Sequence, residues 1–157
     1  MAGTLEIWRR LSAWPLGKWL FTRVVCLKAP YFGSIRPRFL ELRSGYGEVG
    51  IRKRRAVLNH IGTVHAIAMC NMAELAAGTM TDATIPVTHR WIPKGMTVEY
   101  LGKAETDLKA VAVIDPMPEF GAAMDLPVGV SVADTGGQIV FRAVITMWVS
   151  PKKTLTS

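Results

Sequence analysis

From Asn59 to Met80 a helix would be left with almost no polar face. Ile61, Val64, Ile67, Met69, Met72 and Leu75 recur with Ala68, Ala73, Ala76 and Ala77 between them. A helix that is apolar nearly all round is one that gets buried, so this segment predicts a single central helix, with Gly78 as a plausible stop. What buries it must come from the rest of the chain. After Met80 the period changes. Pro86–Pro93, Thr97–Ala104, Leu108–Asp115, Val128–Asp134 and Ile139–Val149 are rich in Val, Ile, Thr and aromatic residues, the composition of strands. Thr135-Gly136-Gly137 reads as the turn between the last two. Ahead of the helix, Phe39–Arg43 and Glu48–Arg52 alternate across Ser44-Gly45-Tyr46-Gly47, a hairpin signal. The order predicts an α+β fold, one buried helix wrapped by a long antiparallel meander.

At 157 residues the chain is long enough for one domain with a real core. It divides into a helical N-terminal extension packed on the core, residues 1–36, and a main domain, residues 37–157. The extension carries Trp8, Trp14 and Trp19 among Arg9, Arg10, Lys18 and Arg23, and Pro15 interrupts it. It contains no run of about 18 uncharged apolar residues, so a membrane-spanning helix is not expected. The favoured reading is one or two amphipathic helices packed over the open side of the sheet or on a partner subunit. Peripheral attachment to a membrane surface is the less favoured one. The 19 basic against 12 acidic residues give net +7, which favours an anionic partner, but no recognition motif supports nucleic acid. Cys26 and Cys70 lie in apolar runs without metal or redox spacing, and read as small hydrophobes in a reducing, cytoplasmic compartment.

Asn59-His60-Ile61-Gly62-Thr63-Val64-His65-Ala66-Ile67, followed by Asn71-Met72-Ala73-Glu74-Leu75-Ala76, resembles the central-helix signature of hotdog-fold acyl-CoA thioesterases, closest to the phenylacetyl-CoA thioesterase-like branch. In that signature an Asn precedes a His by six residues, two Gly follow the His, and an acidic residue lies nine beyond it. Asn59, His65 and Glu74 fall on those spacings. Ala66 and Ile67 stand where the two glycines would be, which keeps the backbone N–H groups but sets side chains where a thioester would approach.

The resemblance implies hydrolysis of an acyl-CoA thioester in a homodimer or a tetramer built from such dimers, with coenzyme A as part of the substrate and no separate cofactor. Glu74, Asn59 and His65 are its candidate catalytic residues; Thr63, Ala66 and Ile67 are its candidate substrate-binding residues. Such hydrolysis needs a carboxylate to position or deprotonate water and donors that face the carbonyl oxygen. Glu74 suits the first role, and the N–H groups near Ala66, at a helix N-terminus, suit the second. Nine residues of helix span about 13 Å and end about half a turn out of phase. Glu74 and the His65 end of one helix therefore cannot serve the same carbonyl, and a site that uses both is shared between subunits.

Plainer roles exist for the same residues. Glu74 could be a hydrogen-bonded structural acid, His65 an N-terminal hydrogen-bonder, Asn59 a helix cap, and Asn71 a partner for Glu74 or the backbone. His60 and His89 read as structural or exposed, and nothing points to a metal. Arg52-Lys53-Arg54-Arg55 could hold coenzyme A phosphates or simply be a solvated strand end. The alternative function is a non-catalytic acyl-CoA binder that uses the same tunnel. Pocket depth would depend on Met69, Met72, Leu75 and the N-terminal aromatics, with Ile67 at the mouth.

Overall fold

The computed structural model describes residues 3–153. Two helices, α1 (Thr4–Ser12) and α2 (Gly17–Lys28), and a short 3-10 turn (Pro30–Ile35) precede the hairpin of β1 (Arg38–Arg43) and β2 (Tyr46–Ile51). A second short turn (Arg55–Val57) leads to the long helix α3 (Ala66–Thr84). Four strands follow: β3 (His89–Tyr100), β4 (Leu108–Val113), β5 (Met124–Ala133) and β6 (Ile139–Pro151).

The six strands form one sheet in the order β1-β2-β4-β5-β6-β3, every pairing antiparallel. This is a wrapped α+β architecture, but not a simple meander. Pro86–Pro93 and Thr97–Ala104, read as two strands from the sequence, form one 12-residue strand with a bulge between Pro93 and Gly95. A bulge absorbs the proline and lets pairing resume. β3 then lies at the far edge against β6, matched from His89↔Pro151 to Tyr100↔Phe141. The chain crosses β5 and β6 before β4 enters beside β2. In the first hairpin only Ser44-Gly45 turns, with Gly45 at φ +73°, a conformation that favours glycine. Tyr46 and Gly47 already belong to β2.

The sheet curls around α3. Met72, Ala73, Ala76, Ala77 and Met80 are fully buried against inward residues of every central strand, including Val49, Ala110, Val128 and Met147. Burying each of the two methionine side chains contributes about 1.5–3 kcal/mol. Gly78 is not a stop; it lies inside the helix, where an added Cβ would come 2.8 Å from the Trp91 ring. The helix needs a hydrogen there because β3 passes so close.

The helix also begins later than its apolar pattern suggests. Asn59 Oδ1 accepts the backbone N–H groups of Ile61 and Thr63 (both 3.1 Å), and Asn59 Nδ2 donates to Thr63 Oγ1 (2.8 Å). Together with Gly62 at φ +81° these bonds close a tight loop, an alternative to helix that Asn side chains commonly offer. Asn59 is therefore not the helix cap; His65 is.

The N-terminal segment enters the same core. Trp8 of α1, Phe21 of α2 and Phe39 of β1 are buried edge-to-face, with Phe21 centred 5.0 Å from Trp8 and 5.1 Å from Phe39. Aromatic pairs of this geometry add about 0.5–1.5 kcal/mol each beyond burial. No helix among the described residues is long and apolar enough to cross a membrane.

Candidate active site

The amino end of α3 is an organised donor site. His65 has extended backbone, and its Nδ1 accepts the Ile67 N–H at 3.1 Å. With Nδ1 used as an acceptor, Nε2 is the ring nitrogen left to donate. The His65 carbonyl takes the Ala68 and Met69 N–H groups at 2.9 and 3.2 Å. Val64 and His65 are fastened in turn, donating to the Ala104 and Val57 carbonyls at 2.8 Å each. This leaves the Ala66 N–H with no acceptor among the described residues, at the positive end of a 19-residue helix. Ile67, which donates to His65, turns its side chain out and is 55% exposed. Thr63 is buried under Asn59. Asn59, Thr63, His65, Ala66 and Ile67 thus belong to one loop-to-helix junction.

Glu74 lies nine residues along the same continuous helix, about 13 Å from that junction. Within one chain they do not meet. Glu74 instead lines a cavity of about 400 Å³ formed where α1 and α2 cover α3 and β3. Its walls are mainly apolar, with Ile7, Phe21, Val24, Val25, Leu75 and Trp91 among them. At the rim Asp82 accepts Trp91 Nε1–H at 3.0 Å and the Thr4 hydroxyl, so α1, α3 and β3 are fastened together. Among the described residues the ion pairs are Arg43–Glu41, Lys94–Asp125 and Lys109–Glu48, so Glu74 is in none.

Several expectations change here. Asn71 does not bond Glu74; it is buried, with Nδ2 3.4 Å from Ser34 Oγ. Its Oδ1 is buried without a partner among the described residues. Met69 and Met72 belong to the core rather than to the cavity, which takes its lining from Leu75 and the N-terminal helices. Those helical contributors, Ile7, Val24 and Val25, are what sequence reasoning missed. Their only signal was an apolar spacing that equally fits plain packing. Arg52, Lys53 and Arg54 face a separate groove that Glu74 does not line. His89 is buried between Thr88 Oγ1 and the Gly121 carbonyl, 3.0 Å from each. Cys26 and Cys70 are both free thiols.

Beside Glu74, the half-covered face of α3 runs along β3. Cys70 Sγ lies 3.4 Å from Tyr100 Oη, and this bond, helped by burial, pushes the Tyr100 phenol up from its usual range. Ile61, Ile67, Ile92, Tyr100 and Leu101 are all more than two-fifths exposed along this helix end and strand. Among the described residues β3 has no strand on its outer side.

Residues 17–149 match the family model described as "Domain of unknown function (DUF4442)". In solved structures the chain is similar to the structural-genomics target APC5556, at 51% identity and TM-score 0.83 over 95% of this chain and 99% of that one. It is also similar to a thioesterase family protein from Silicibacter pomeroyi, at 16% identity and TM-score 0.71 over 83% and 96% of the two chains. PA5026 from Pseudomonas aeruginosa, described as a probable thioesterase, matches at 18% identity and TM-score 0.74 over 83% and 93%. At such identities the last two bear on the fold alone, and that fold is the hotdog. Among curated proteins, none matches in sequence.

Proposed function

The chain belongs to the DUF4442 family, and from that premise we propose that it hydrolyses an acyl-CoA thioester at a site shared by two copies of itself. The observation that carries this reading is Glu74: an ionisable carboxylate on a buried helix, lining a cavity whose other walls are mainly apolar. Glu74 is half-buried and has no ion-pair partner among the described residues, and an apolar cavity with a few polar groups set in its wall is the usual form of a small-molecule site. The thioesterase names of several structural neighbours point the same way.

In this reading the acyl group enters the cavity beneath α1 and α2. The Ala66 N–H of one copy faces the carbonyl oxygen, while Glu74 of the other holds a water. The water oxygen attacks the carbonyl carbon as its proton passes to Glu74, and the oxygen gains charge opposite the helix terminus. The C–S bond then breaks, coenzyme A leaves as thiolate and regains a proton, and the free acid remains. The exposed apolar strip along α3 and the unpaired outer edge of β3 suit an interface between two copies, which would bring the ends of two helices together. Asn59, tied to the buried Thr63, and His65 act as positioning residues that hold the Ala66 peptide, and the exposed Ile67 side chain shapes its approach.

The test is turnover on short, medium, long and aromatic acyl-CoAs by the intact protein and by Glu74→Gln. Loss of a general base should lower kcat about 10²–10⁴-fold with folding unchanged. A second reading, an acyl-CoA binder without turnover, is favoured by the Ile67 side chain standing where the resemblance has glycine. Tight binding with no hydrolysis by either protein would replace the first reading with the second.

A further inference from the structure

α2 has two faces, and only one of them is used by the fold. Phe21 and Thr22 are buried, whereas Leu16, Trp19, Leu20 and Leu27 are 75%, 59%, 44% and 79% exposed. Positions 16, 20, 23 and 27 recur at steps of four, three and four, so they form one stripe on the helix. Trp14 and Tyr31, 73% and 69% exposed, stand just before and after it. A ridge of this size and composition is far more apolar and aromatic than solvent contact requires.

Beside the ridge lies a cationic groove of about 790 Å³. Trp19 and Arg23 belong to both, with the Arg23 guanidinium 5.8 Å over the Trp19 ring. Across from them the groove is walled by Arg36, Arg38, Arg52, Lys53 and Arg54, and no carboxylate lines it. Asp107 accepts the Lys53 backbone N–H at 2.8 Å but is not part of the wall. Lys18 and Arg54 are partly engaged by the Leu40 and Ser34 carbonyls. Arg23, Arg36, Arg38, Arg52 and Lys53 are exposed and have no ion-pair partner among the described residues.

We propose that this face docks the protein on an anionic phospholipid surface, with the Trp19–Leu27 ridge in the headgroup boundary and the groove cations against lipid phosphates. Indole and leucine side chains suit that boundary, where one end of the group is apolar and the other wet. Five unpaired cations on the same side supply the complementary charge. Exposure marks the ridge, shape and charge mark the groove, and the two share Trp19 and Arg23. The inference does not depend on the thioesterase reading.

The experiment is co-sedimentation of the full chain with vesicles of phosphatidylcholine alone and of phosphatidylcholine mixed with phosphatidylglycerol. Deleting the N-terminal helices is not a clean control, because Trp8 and Phe21 are core residues; exposed-residue variants are. The protein should partition onto the anionic vesicles and not the neutral ones. Each cation removed should weaken partition roughly fivefold, so Arg23→Glu/Arg38→Glu/Arg52→Glu should lose about a hundredfold or more. Trp19→Ser/Leu27→Ser should also weaken it, with oligomeric state unchanged. No partition onto anionic vesicles, or equal partition of the variants, would overturn the proposal. So would release by free coenzyme A at concentrations where inorganic phosphate has no effect, which makes the groove a soluble-nucleotide site. A Trp19→Ser/Leu27→Ser protein that binds vesicles normally but forms a smaller oligomer would make the ridge an interface between copies instead, and would sink it too.

Discussion

α2 and α3 are both rich in apolar residues, yet they meet opposite fates. In α3 the residues from Asn71 to Thr81 are buried all round except for Glu74, because the sheet curls about it and leaves little for water to reach. α2 rests on the sheet from one side. Phe21 is 2% exposed while Trp19, two residues earlier, is 59% exposed. Apolar content alone therefore does not say what a helix buries; the number of sides from which other elements approach does. On α3 the exception is a carboxylate in a cavity, and on α2 the exceptions are indole and leucine side chains in solvent. Each departs from what stability asks, and each is where a function is proposed.

This contrast can be broken or sharpened by substitution. The largest effect should come from Phe21→Ala, which removes the centre of the Trp8–Phe21–Phe39 cluster; a cost of about 3–5 kcal/mol is expected in urea unfolding. Met72→Ala, at a fully buried position of α3, should cost about 2–5 kcal/mol by the same measurement. If α2 were only an accessory laid on a finished domain, Phe21→Ala would fall well below Met72→Ala. Removing the α3 cap by His65→Ala frees the Ile67 N–H and should cost about 1 kcal/mol. The same variant should lower turnover more than its small loss of stability explains, since the Ala66 peptide is no longer held. Smallest should be Trp19→Ala, within about 0.5 kcal/mol of the parent because its ring is mostly in water. A large destabilisation there would mean that the exposed face of α2 is needed for folding after all.

The existence of the central helix was legible because burial on all sides removes any need for a polar face, and that leaves a plain mark in the residues from Met69 to Ala77. Its beginning was not legible. Ile61 and Val64 continue the apolar pattern, but Asn59 spends its side chain on a loop, and a hydrogen bond of that kind competes with helix without altering hydropathy. Gly78 misled for a related reason: the same residue serves a helix end and a close crossing, and only the position of Trp91 tells them apart. On the β side, strand composition marked most of the segments. The pairing of β3 with β6 rests on contacts between residues some fifty positions apart for most of their length, which no local pattern records.

For the candidate site, residue chemistry and spacing by themselves determined that an acid lies in a buried helix nine residues beyond a histidine. Helix geometry was enough to separate the two by about 13 Å. Only the tertiary structure decided that the Val64 N–H just ahead of the helix is taken by the Ala104 carbonyl, and that the apolar cavity beside Glu74 is walled by α1 and α2. The physical reason is one of range. Period, propensity and capping act over a few residues and are written along the chain, whereas a cavity or a free donor is defined by what distant segments leave uncovered when they pack.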